Sequence, residues 1–184
     1  MFKSRFKNTV YRWRVRVCFI GLILAILLSR PNLYSLFGGV GLCSLGLLLR
    51  IWASGHLKKE KELTISGPYQ FTRNPLYLAN FIIGISVILA SYSWWMVGVF
   101  VAYFILFYPV TLIREKEKMN TLFPEEYEKY KKRVPFFFPS FKSFFSSNKN
   151  KFSWKLYRKN KEYKTLLGAV LFWLIMTAKM IFFL

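Results

Sequence analysis

From Leu76 to Ile113 the chain runs 38 residues without a charged side chain. A helix needs about 20 apolar residues to cross a bilayer, so this run is too long for one crossing and long enough for two. Ser91-Tyr92-Ser93 interrupts it near the middle. The spacing therefore predicts two antiparallel helices with a tight turn at that triplet. Pro109 is expected to kink the second helix, because it removes a backbone donor.

Three further apolar runs flank this pair: Val17–Leu28, Leu33–Ser54 and Leu166–Leu184. The first is short for a span. Tyr11, Trp13 and Val15 are expected to extend it, with the neighbouring arginines reaching back to the headgroups. A basic start followed by an apolar run resembles a secretory leader. No small-x-small cleavage site follows, and the second run begins almost at once, so a helical hairpin is expected instead. The expected fold is all-α: one membrane domain over residues 1–184, a bundle of about five transmembrane helices, without a soluble domain.

Charge sets the expected orientation. Lys and Arg number 28 against 8 Asp and Glu, a formal charge of +20, although 54% of the residues are hydrophobic. A disordered basic tail would not carry so many apolar residues, and the separation into apolar and basic blocks argues against a nucleic-acid partner. Six cations lie in residues 1–16, four in 55–74 and fifteen in 114–165. With five spans, all three blocks fall on one side, which the positive-inside rule makes cytoplasmic, with the amino terminus there. That face would attract anionic membrane lipids. Oligomeric state is left open. Cys18 and Cys43 lie inside apolar runs, so neither a disulfide framework nor a metal centre is expected.

Within the last polar block, Glu125–Arg133 reads as a short helix with acids first and cations last, stopped by Pro135. Phe136, Phe137, Phe138, Phe141, Phe144 and Phe145 among lysines read as an interfacial aromatic belt. Trp94, Trp95 and Trp154 read as interface anchors, and Lys179 as an end residue reaching for water.

Polar residues at the membrane ends are the candidates for chemistry. Ser66-Gly67-Pro68-Tyr69 precedes Arg73-Asn74-Pro75-Leu76-Tyr77. A turn at Gly67-Pro68, an N-cap at Asn74 and Pro75 at the first helical position explain four of these residues structurally. They do not explain Arg73 and the two tyrosines. A helix start with an arginine beside it favours an anionic group. Glu115, where the fourth helix leaves the bilayer, is either a solvated carboxylate or the holder of a cationic ligand group. His56, the only histidine, is either a satisfied structural residue or a base. Tyr127 and Tyr130 share one face of the short helix, three residues apart.

Taken in order, His56, Ser66-Gly67-Pro68-Tyr69, Arg73-Asn74-Pro75-Leu76-Tyr77, Glu115 and Phe123-x-x-x-Tyr127-x-x-Tyr130 resemble the isoprenylcysteine carboxyl methyltransferases. That family is itself similar to the phospholipid methyltransferases. The resemblance covers residues 45–140. It implies an S-adenosylmethionine-dependent methyltransferase, transferring to an oxygen or nitrogen of a lipidic acceptor. It places Lys61, Glu62, Leu63, Thr64, Tyr69, Asn74, Pro75, Leu76, Tyr77 and Glu115 around the cofactor, with Arg73, Glu115 and His56 as catalytic candidates. The arginine that binds a prenylcysteine carboxylate in that family is Thr111 here. Two other classes fit the composition: a membrane reductase of the sterol-reductase type using a nicotinamide dinucleotide, and a non-catalytic protein that binds anionic lipid.

Overall fold

A computed structural model describes residues 2–140 and 151–183, with side chains described for 12–140 and 151–182. Every regular element among them is helical. The helices are α1 (Phe2–Leu28), α2 (Leu33–His56), α3 (Pro75–Ser91), α4 (Trp94–Leu122), α5 (Pro124–Lys131), α6 (Trp154–Lys159) and α7 (Tyr163–Phe183), with a 3-10 turn at Gly67–Gln70. Helices α2, α4 and α7 are each long and apolar enough to cross a membrane, whereas α3 is a shorter apolar helix of 17 residues. Large apolar side chains such as Phe37, Leu45, Ile105 and Leu171 are at least 60% exposed. Helices that are apolar all round and bury little against one another belong in lipid. The chain is an integral membrane protein.

The expected break lies where the serine pair put it: α3 ends at Ser91, and Tyr92 takes a left-handed conformation (φ 48°) before α4 begins. α4 continues through Pro109.

The contacts divide the chain into two compact units. The first comprises residues 1–41, 84–117 and 173–184. Here the Arg30 amide donates to the Ser91 carbonyl at 2.9 Å, and Asn32 caps α2 by accepting from the Ser35 amide at 2.9 Å. Lys179 corrects its sequence reading. Its Nζ donates to the carbonyls of Ile26 (2.6 Å), Leu27 (3.0 Å) and Ser29 (2.8 Å). Those carbonyls lie at the end of α1, where intrahelical partners run out, so the ammonium caps a helix instead of reaching for water.

The second unit comprises residues 42–83 and 118–172. The Nε and Nη2 of Arg50 both donate to Glu162 Oε2, at 2.9 and 2.6 Å, and Nη1 reaches Asn80. Both charged side chains are largely buried. Asn160 donates to the carbonyls of Ser54 (2.9 Å) and Leu57 (3.0 Å), satisfying the last turn of α2. The start of α3 and the segment after α5 also fold in this unit.

Candidate functional site

Residues 71–74 and 135–140 are laced together by side chains and backbone. The Arg73 amide donates to the Pro135 carbonyl at 3.0 Å, and the Ser140 amide to the Phe71 carbonyl at 3.0 Å. Thr72 Oγ1 donates to the Phe137 carbonyl at 2.7 Å, and Asn74 Nδ2 to the Phe136 carbonyl at 2.8 Å. Asn74 also opens α3, its carbonyl accepting from Tyr77 and Leu78. Pro75 follows at the position where a missing amide costs nothing. Through their main-chain carbonyls Phe136 and Phe137 therefore strap the start of α3, while the ring of the next residue, Phe138, is exposed. Phe141, Phe144 and Phe145 lie outside the described residues.

This strap fixes Arg73. Its guanidinium carbon lies 5.1 Å from the centre of the Phe136 ring and 6.0 Å from that of Tyr127. Nη1 makes a long contact of 3.5 Å to the Tyr127 hydroxyl. Nε is buried and has no hydrogen-bond partner. Burying such a donor unpaired is costly, most of all on a charged group. An anion accepting from Nε would remove that cost.

Beneath it, Tyr127, Tyr130 and Val134 form a buried cluster packed by Leu63, Ile65, Met119 and Phe123. The Tyr130 hydroxyl donates to the Tyr69 carbonyl at 2.6 Å. Burial pushes this phenol up from its ordinary value, against the pull of the Arg73 charge. Leu63, Ile65, Tyr130 and Val134 also line a recess of about 280 Å³ whose edge carries Glu126, Lys129 and Arg133.

The remaining candidates are placed as follows. His56 is buried, with Nδ1 3.0 Å from Ser66 Oγ. Its ring packs against Gly67, whose φ is +60°, and near Phe152. These contacts account for a buried ring without requiring a catalytic duty. Thr64 is buried and its Oγ1 accepts from the Lys58 amide at 3.3 Å. Tyr69 and Pro75 are buried, and Leu76 and Tyr77 are half-buried on the first turn of α3. Lys61 and Glu62 are exposed on the preceding turn. Glu115 is half-buried on α4 and belongs to the first unit, whereas the other candidates belong to the second. Sequence reasoning missed the Phe136 face beside Arg73, whereas Tyr127, singled out there with Tyr130, does lie against it. Tyr127's position one turn from Tyr130 was the available signal. Among the described residues, no three His, Cys, Asp or Glu side chains are grouped to share a metal ion.

Residues 49–141, half of the chain and all of this laced region, match the family model for ergosterol biosynthesis ERG4/ERG24 proteins. The chain belongs to the ERG4/ERG24 family. Two curated relatives are similar to it. One is the nickel-cobalt-cadmium resistance protein NccN of Alcaligenes xylosoxydans xylosoxydans, 32% identical over 114 residues, covering 60% of this chain and 51% of the relative. The other is the cobalt-zinc-cadmium resistance protein CzcN of Cupriavidus metallidurans, 33% identical over 139 residues, covering 69% and 62%. The chain thus spans between half and two thirds of the length of these relatives. No solved structure matches it significantly.

Membership of the ERG4/ERG24 family overturns the methyltransferase resemblance, and with it S-adenosylmethionine as cofactor. The physical reason lies in what the shared residues do. Arg73-Asn74-Pro75 builds a helix start beside a cation, a geometry that suits many anions and specifies none. Thr111 is where the resemblance fails in the fold as well. It is buried, and its hydroxyl donates back to the Phe107 carbonyl at 2.7 Å, so it is committed within α4.

Proposed function

We propose that this ERG4/ERG24 protein is a membrane-bound reductase of the sterol-reductase type. It would reduce a carbon–carbon double bond in an apolar, membrane-borne substrate with a nicotinamide dinucleotide. The observation that carries the reading to residues is the buried, unpartnered Nε of Arg73 within the region that matches the family. A dinucleotide presents phosphate oxygens, and a guanidinium fork is the side chain best suited to take them. The residues present therefore fit such a group.

When bound, the dinucleotide supplies a hydride to one carbon of the double bond. The chain's own residues hold and enclose. Arg73 takes a phosphate, and the faces of Phe136 and Tyr127 keep its guanidinium in one plane. The strap at 135–140 closes the region to water, which strengthens the charged contact. The second carbon needs a proton, and Tyr127 Oη, already facing Arg73, is the group assigned to hold it. The five-span topology, with the laced region on the cytoplasmic side, belongs to the same reading and gives it access to soluble dinucleotide.

The test is transfer of deuterium. The purified full chain, given a lipid extract and NADPH deuterated at the transferable position, should yield a lipid heavier by one deuterium and one hydrogen. Consumption of NADPH without a labelled lipid, or neither, would count against the reading.

A further inference from the structure

Residues 151–164 carry six cations: Lys151, Lys155, Arg158, Lys159, Lys161 and Lys164. Their one acid, Glu162, is taken by Arg50 inside the second unit. Among the described residues, none of the six cations is in an ion pair. All six are exposed.

The segment is nevertheless built and not trailing. Ser153 caps α6 by accepting from the Leu156 amide, and its own amide donates to the Gly55 carbonyl at 3.0 Å. Asn160 bonds two carbonyls at the end of α2. Phe152 packs so closely on Gly55 that a Cβ there would lie 2.1 Å from its ring. Six charges that repel one another are thus held in place by contacts made elsewhere on the segment.

Its location decides what it meets. α7, an apolar helix long enough to span a membrane, begins at Tyr163 within the segment. Trp154 is 63% exposed and Tyr163 41% exposed, and such rings settle at the headgroup level. Clusters of four to eight cations directly beside a span attract anionic lipid.

We infer that residues 151–164 form a binding surface for the phosphate-bearing headgroups of anionic phospholipids, fixed to the end of α2. This goes beyond the proposed reductase and does not depend on it.

The test is native mass spectrometry of the full chain released from mixed micelles of phosphatidylglycerol and phosphatidylcholine. The wild type should retain phosphatidylglycerol preferentially. The triple variant Lys155→Gln, Arg158→Gln, Lys159→Gln should lose that preference by on the order of 100-fold. Removing the same charge from the end of α5 and its C-cap (Lys129→Gln, Lys131→Gln, Lys132→Gln) should leave most of it. Lys155→Arg with Lys159→Arg should behave as wild type, which separates lost charge from lost fold. Equal loss in both triple variants would overturn the surface in favour of bulk charge. Displacement of the lipid by excess inorganic phosphate would overturn it in favour of a free-anion site. An absence of preference in the wild type would overturn it outright.

Discussion

The hydroxyl of Tyr130 donates to the main-chain carbonyl of Tyr69 across 2.6 Å, joining α5 to the 3-10 turn that precedes Arg73. Tyr130→Phe keeps the ring but leaves that carbonyl without this donor. The expected cost is about 1–3 kcal/mol. The bond also implies a pH dependence. Burial raises the folded-state phenol above its ordinary value of about 10, so below that pH both folded and unfolded chains hold the proton. As pH rises further, the unfolded chain releases its proton first, and stability falls. Unfolding midpoints in detergent at about pH 8 and about pH 11 should diverge more in the wild type than in Tyr130→Phe. Equal pH sensitivity in the two would show that Tyr130 is not the group responsible.

Gly67 turns with φ +60° directly against the ring of His56, where a Cβ would meet Cδ2 at 2.6 Å. Gly67→Ala therefore combines a left-handed backbone with an overpacked contact, together costing about 2–4 kcal/mol. Adding His56→Ala removes the clash but not the backbone strain. The double variant should be destabilised by less than the sum of the two single ones, as measured by thermal unfolding. Strict additivity would mean that the two residues do not touch.

Glu162 and Arg50 form a largely buried pair. Glu162→Gln would leave the guanidinium charge without its counter-ion and destabilise by about 3 kcal/mol. The companion change Arg50→Met with Glu162→Met should restore much of the loss. Chemical unfolding of all three proteins supplies the comparison, and a neutral single variant would contradict a paired buried charge.

The helices were legible because lipid imposes a simple pattern. The break at Ser91-Tyr92-Ser93 follows from a run too long for one crossing, and the Asn74-Pro75 start of α3 follows from backbone chemistry alone. The cap made by Lys179 was hidden, since the carbonyls it serves lie about 150 residues earlier in the chain. The strap was hidden for a related reason: Pro135, Phe136 and Phe137 act through main-chain carbonyls, which every residue carries. Arg73 could be read as an anion holder, but not as the holder of a particular anion. That gap is where the methyltransferase reading went astray. The proposed dinucleotide rests on the reductase reading of the family match across residues 49–141, and not on the arginine itself.

The most direct measurement is binding of NADPH to the detergent-purified full chain by calorimetry, beside Arg73→Gln and Arg73→Lys. The account predicts saturable binding in the wild type. It predicts a loss of about ten- to a hundred-fold in Arg73→Gln, as expected for a buried charge-assisted hydrogen bond. Arg73→Lys should recover part of it, because an ammonium restores the charge but not the fork. No binding to the folded wild type, or equal binding in all three proteins, would contradict the account.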